Sequence, residues 1–468
     1  MTFNSWVFAA FFAVFFWGYE RVRGVAKKWV LLIGSYAFYA AWDVRFLLLI
    51  MASTLLDFYV GQRVEQLGQK KGKRFIYLSL LLNIGALAYF KYANFFIGSA
   101  TALLTRIGLP SDIATLQTIL PVGISFYTFQ TISYSIDIYR GELKASRSLL
   151  DFSCFVAFFP QLVAGPIERA KDLLPRVAYP ASPSQMQRDT GWFLILVGLF
   201  KKIVIADGCA GFVNFGFNNP EQSMVHPLLV TVFFSFQIYA DFSGYTDMAR
   251  GIARLLGVEL SLNFLKPYLV GNPSLFWRHW HISLSSWLRD YLYIPMGGNR
   301  KGEGRTLLNL FLTMLLGGLW HGAGWAFILW GGFHGVWLIL HRVLQPLLRK
   351  VELVMGRAYG GGAIACTYLL TLVGWFIFRV GSVEPSDQLA TIREMGSRAM
   401  QWSSTNYELA LPLCFYGGLV LLGQKFASSY DKLQNLSFRG KVLLYSALIL
   451  GCFLFACDSK EQFIYFQF

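Results

Sequence analysis

Four of the six histidines in this chain, His279, His281, His321 and His334, fall in one stretch from Phe276 to His334. The stretch opens FWRHWHISLSSWLRDYLYIPMGGNRKGEGR and, after an apolar run, closes LLGGLWHGAGWAFILWGGFHG. His321 is the strongest single candidate for chemistry. It stands at the end of an apolar run, flanked by Gly317, Gly318, Gly322 and Gly324. Glycines let backbone or substrate come close and loosen a helix locally. An imidazole in such surroundings can take the proton of a hydroxyl nucleophile near neutral pH. The competing reading is a histidine hydrogen-bonded inside a helix bundle. On a helix, His279 and His281 would point about 200° apart and could not chelate one ion. His334 and His341 share a helix face but stand about 10 Å apart, and an unbroken helix would put about 20 Å between His321 and His334. A metal site is therefore not expected. His279, His334 and His341 read best as packing or interfacial residues.

Arg289 and Asp290 form a charged pair between aromatics, before a Pro-Met-Gly-Gly turn that should end a helix in a shaped loop. Arg278, Arg289, Arg300, Lys301 and Arg305 would together make a basic mouth suited to a phosphorylated, anionic donor such as a nucleotide-bearing thioester. Orientation bias of basic residues alone would leave the same pattern. A third polar island, YADFSGYTDMARG from Tyr239 to Gly251, carries Asp241 and Asp247, with Arg250 within pairing reach of Asp247. Structural salt bridging is the better reading of it. Ser243 is not in a GxSxG context, and no phosphate-binding or dinucleotide loop occurs, which argues against a hydrolase elbow and an ATP-driven pump.

The elements that must hold these residues are membrane helices. The 468 residues are 55% hydrophobic and only 14% charged, with a mean hydropathy of +0.47; soluble domains carry about 25% charged residues. Long apolar runs without alternation mark a polytopic helical protein and not a β-barrel. The net charge of +15 sits in short connectors, as the positive-inside rule produces, so nucleic-acid binding is not expected. The six cysteines are scattered through apolar runs, with no CxxC pair. Placing basic connectors in the cytoplasm gives about eleven spans plus one or two partial entries. Phe152 to Gly165 is too short to cross and reads as re-entrant, and Lys171 to Arg188 as an amphipathic surface segment. The Gly251 to Arg305 connector falls inside, the acidic-leaning Glu384 to Glu408 loop and the Asp458 to Phe468 tail outside.

WRHWHISLSSWLRDYLYIPMGGNR followed by LLGGLWHGAGWAFILWGGFHG resembles the signature of membrane-bound O-acyltransferases, most closely their bacterial alginate O-acetylase branch. LLIGSYAFYAAWD, PVGISFYTFQTISYSIDIYRGE and FFPQLVAGPIER extend the likeness through the N-terminal half. The resemblance implies an all-α polytopic fold around a central funnel or tunnel, one membrane domain over 1–468 with its motif-bearing core at about 120–345. It implies His321 as the catalytic membrane histidine, and His281, Arg289 and Asp290 as part of the active core. It further implies a multi-pass protein of the bacterial inner membrane with no permanently bound cofactor. Acetyl-CoA would be the cytoplasmic donor, and acetyl would pass to an exopolysaccharide of alginate or cellulose type through a periplasmic acetyltransferase partner. Relatives that load D-alanine onto teichoic acid or modify peptidoglycan give the alternative acyl transfers. A transporter or export component of a polysaccharide secretion complex is the competing class, because buried ionisable residues also suit a permeation path.

Overall fold

The computed structural model describes residues 1–109, 114–116, 119–220, 223, 225–383, 387–399, 405–427, 435–457 and 463–464. The Glu384 to Glu408 loop lies partly, and the Asp458 to Phe468 tail mostly, outside them. Every regular element among the described residues is helical, as apolar runs that must satisfy their own backbone in lipid require. The chain forms two compact units, Met1–Gly191 with Ala249–Ser261, and Trp192–Met248 with Leu262–Phe468.

In the first unit, α1 (Trp6–Arg21) and α2 (Val25–Ala40) precede α3 (Val44–Leu87), and Ser5 and Asp43 cap α1 and α3 by accepting the Phe8 and Arg45 amides. The sequence suggests two runs with a basic connector here, and the structure shows how they join. Gly68, at φ 67°, turns α3 back on itself without a loop, a conformation that only glycine adopts cheaply. The two arms lie antiparallel. Ser53 donates to Asn83 (2.8 Å), and Ser79 and Asn83 both donate to the buried Asp57 carboxylate. After α4 (Ala93–Arg106), α5 (Ile124–Arg140) is bounded by Gly123 and Gly141, both left-handed. The stretch expected to be re-entrant is a broken pair, α6 (Leu149–Ala157) and α7 (Phe159–Leu162), buried almost throughout. Non-helical backbone at Phe158 is tolerated there because protein, not lipid, surrounds it. The amphipathic α8 (Ala170–Ala178) buries Leu173, Leu174 and Val177 and exposes Lys171, Asp172 and Arg176. It leads into α9 (Gln185–Phe200).

In the second unit a π-helical turn, Lys201–Ala206, links α9 to α10 (Asp207–Asn218), and α11 (Pro227–Leu255) packs beside it. A Cβ on Gly244 would stand 2.7 Å from the Gly198 carbonyl oxygen, so these two glycines set the interhelical distance. That closeness brings the Asp241–Asp247 island against the lysines of the π-turn. Lys201 pairs with Asp247 at 2.6 Å, and Lys202 with Asp207 at 2.8 Å and Asp241 at 3.1 Å, all buried. Structural salt bridging is thus what the island does, and burial makes it matter, since a lone charge there would be uncompensated. The functional stretch follows as α12 (Pro273–His279), α13 (Ile282–Leu288), α14 (Glu303–His321) and α15 (Trp325–Met355). The unit continues with α16 (Arg357–Val380), α17 (Gln388–Arg398), α18 (Thr405–Glu408), α19 (Ala410–Phe426) and α20 (Phe438–Phe455). Four helical stretches among the described residues are long and apolar enough to cross a bilayer: Val44–Arg106, Trp325–Met355, Arg357–Val380 and Phe438–Phe455. Others, such as α1 and α2 at 16 residues each, are shorter, so helix length alone does not return the expected count of about eleven.

Candidate active site

Asn272 starts α12 by accepting the Leu275 amide, with Pro273 in the first turn where a missing N–H costs nothing. The helix ends at His279, Trp280 is extended, and His281 turns left-handed at φ 43° before α13 begins. His281 is the one non-glycine residue with positive φ among the described residues, a conformation that costs a side chain about 1 kcal/mol or more. The chain breaks between His279 and His281, so the geometry of a shared helix does not apply to them. His279 is half-buried, and burial together with Lys266 and Arg278 holds its imidazole below the ordinary value. His281 is fully buried, and its Nδ1 lies 3.3 Å from Asn263 Oδ1.

A second break lies between His321 and His334. α14 ends at His321, Gly322 and Gly324 are extended, and α15 turns back along α14. The 20 Å separation of an unbroken helix does not arise. Instead His321 and His334 both pack on Trp330, with ring centroids 4.9 and 4.7 Å from it. The glycines near His321 serve this hairpin. A Cβ on Gly318 would stand 2.9 Å from Gly331 Cα, and one on Gly322 would strike the Phe327 ring. They bring helix to helix, where the sequence left open that they admit substrate.

His321 is buried, with Trp320, Trp330 and Phe378 around its ring at 5.0, 4.9 and 5.4 Å. The His281 ring lies 6.5 Å from it, centroid to centroid. Two imidazoles from different elements thus share one aromatic-walled space. His334 is packed by Phe276, Trp277 and Trp337, which agrees with a packing role.

After α13 the chain tightens into a π-turn, Arg289–Tyr293, then a turn with Gly297 and Gly298 at positive φ. Arg289 pairs with its neighbour Asp290 through two hydrogen bonds of 2.6 and 3.1 Å. Arg278 and Arg289 line one cavity of about 380 Å³ together with Trp277, Ser285, Ser286 and Tyr293. Its wall reaches Ile282, next to His281, and Thr313 and Met314, two turns before His321 on α14. Arg300 and Lys301 are exposed on the following turn and do not line it. A separate cavity of about 540 Å³, lined by Phe217, Asn219, Ser382, Asp387 and Glu394 among others, begins one turn past Phe378.

Sequence reasoning missed Asn263, Trp330 and Phe378 as neighbours of the histidines. Asn263 lies in SLNF, where nothing marks it beyond its polarity, and the two aromatic neighbours are two among many.

Comparison with known proteins finds relatives over most of the chain. The profile of the MBOAT, membrane-bound O-acyltransferase family, matches residues 29–380. A probable alginate O-acetylase of Pseudomonas putida is 42% identical over 382 residues, covering 81% of this chain and 77% of the relative. A peptidoglycan O-acetyltransferase of Helicobacter pylori is 37% identical over 418 residues, 82% of this chain and 78% of the relative. A teichoic acid D-alanyltransferase of Bacillus subtilis is 29% identical over 270 residues, 55% and 68% of the two chains. This chain belongs to the membrane-bound O-acyltransferase family, and it is a membrane enzyme that transfers acyl groups to hydroxyls.

Proposed function

We propose that this O-acyltransferase takes acetyl from acetyl-CoA on the cytoplasmic side of a bacterial inner membrane and passes it outward for O-acetylation of an exopolysaccharide, of alginate type, through a periplasmic partner. The observation that carries the proposal is the pairing of His281 and His321, with the cavity lined by Arg278 and Arg289 reaching Ile282, the neighbour of His281. Identities of about 40% to alginate O-acetylases, against 29% to a D-alanyltransferase, favour acetyl over D-alanyl.

The residues fit a sequence of steps within the core at about 120–345. Arg278 and Arg289 hold the anionic end of the donor by charge-assisted hydrogen bonds, while Arg300 and Lys301 draw it toward the cavity from the turn outside. Asp290 keeps the Arg289 guanidinium oriented. From Arg305 to His321, α14 advances about 24 Å at 1.5 Å per residue, so the imidazole stands at the end of α14 away from the basic turn. The cavity beside Ser382 offers the acceptor an approach from that end. His321 takes the hydroxyl proton as the oxygen attacks the thioester carbonyl. The tetrahedral intermediate then collapses with loss of the C–S bond, and the leaving thiolate takes the proton from the imidazolium. His281 is the second imidazole at the reacting carbon.

The test is labelled acetyl-CoA given to purified protein in vesicles with an acceptor hydroxyl. Donor consumption with release of free thiol, lost by a factor of about 10²–10⁴ in His321→Ala, is expected. Uptake of an intact solute without thiol release would place the protein with transporters. Full activity of His321→Ala at normal membrane levels would remove it from the base role.

A further inference from the structure

Asn263 is fully buried and meets the His281 turn from the loop before α12. Its backbone carbonyl accepts the Ile282 amide at 3.0 Å. Its side-chain Oδ1 accepts the Ser283 amide at 3.1 Å and the Ser283 hydroxyl at 2.9 Å. The Ser283 amide can only donate, so the oxygen of the Asn263 side chain, not its nitrogen, must point at this turn. The same oxygen lies 3.3 Å from His281 Nδ1. An amide oxygen can only accept, so the contact requires a proton on Nδ1, and in the neutral ring Nε2 then carries the lone pair.

We propose that Asn263 is the positioning residue of the acyl transfer. It holds His281 in its left-handed backbone and in the Nδ1–H tautomer, so that Nε2 is an acceptor in the reacting centre and does not donate to the oxyanion, while His321 keeps the role of base. The strained φ of His281 is part of the same device. A left-handed residue persists only where its surroundings over-determine it, and three hydrogen bonds to Asn263 flank it on its C-terminal side. Burial pushes the His281 imidazole below its ordinary value, which suits a nitrogen that must arrive unprotonated. This inference rests on the reading that His281 belongs to the reacting centre.

The experiment measures acetyl transfer by purified, reconstituted full-length variants, with thermal melting to show that each is folded. In Asn263→Ala, kcat should fall about 10- to 100-fold, the scale on which partners that orient a histidine act, with KM for the donor unchanged. Asn263→Asp keeps an accepting oxygen and should recover most of the rate. Ser283→Ala removes only the hydroxyl contact and should stay near wild type. Folded Asn263→Ala at wild-type kcat overturns the proposal. So does Asn263→Asp as slow as Asn263→Ala, or Ser283→Ala as slow as either, because the loop's integrity alone would then account for the loss. If Asn263→Ala does not accumulate, Asn263→Ser carries the test in its place: folded and slow supports the proposal, folded and fast overturns it. His281→Ala separates the two ideas. Full activity there removes the underlying reading, whereas an inactive His281→Ala beside a fully active Asn263→Ala defeats the inference alone.

Discussion

The His281 and His321 rings stand 6.5 Å apart, centroid to centroid, although one belongs to a strained turn before α13 and the other ends α14. Neither position is helical interior, and both follow from a break in the chain. Local structure at each break therefore decides whether the pair exists.

Substitutions at His281 should sort by backbone tolerance before they sort by chemistry. Asn and Gly adopt left-handed φ more readily than other residues. His281→Asn and His281→Gly should accumulate and melt within a few degrees of wild type yet lose acetyl transfer. His281→Val, β-branched and left-handed, should accumulate poorly. Thermal melting of detergent-purified variants distinguishes the cases, and a well-folded Val variant would count against strain at this residue.

The α14–α15 hairpin depends on contact between glycines. A Cβ at Gly331 would stand 3.0 Å from Leu315 Cα, while one at Gly332 would meet only Leu315 Cδ1, at 3.8 Å. Gly331→Ala is expected to destabilise by about 1–3 kcal/mol through overpacking, and to reduce activity by displacing His321. Gly332→Ala should be close to neutral. Equal melting temperatures for the two variants would contradict the close approach.

The buried Lys201–Asp247 pair should behave as a unit. Lys201→Met leaves the Asp247 carboxylate buried without its 2.6 Å partner, a change that costs about 3–5 kcal/mol. Removing both charges in Lys201→Met/Asp247→Leu should restore most of that loss. Additive destabilisation in the double variant would show that the two side chains act independently.

Glu168 gives the protein a pH-dependent stability. It is buried in the turn before α8, and burial raises its carboxyl from 4.5 to about 7 against the opposing effect of its hydrogen bonds from the Ser261 amide (2.5 Å) and hydroxyl (3.1 Å). The folded state thus holds this proton more tightly than the unfolded chain does. The stabilisation is complete below about 4.5 and is lost as pH rises through about 7. The melting temperature should fall between pH 5 and pH 8, and Glu168→Gln should flatten that fall. An unchanged slope in the variant would mean that other groups carry it.

The sequence by itself determined the class of fold and singled out the stretch that builds the candidate site. Apolar runs without alternation admit only helices in lipid, and a costly ionisable cluster in so apolar a chain marks function by its presence. It also determined that the stretch after Leu288 ends in a shaped turn, because Gly297 and Gly298 follow Pro295. It did not determine which residues meet. Periodicity assumes that a helix continues, so it separated His321 from His334 and set His279 opposite His281 on one helix. The breaks at Gly322–Gly324 and His281 are backbone events that hydrophobic pattern does not encode. Asn263, Trp330 and Lys201 were equally illegible as partners. Their roles come from contacts between elements distant in the chain, and only close packing of the helices brings those side chains within hydrogen-bonding or van der Waals distance.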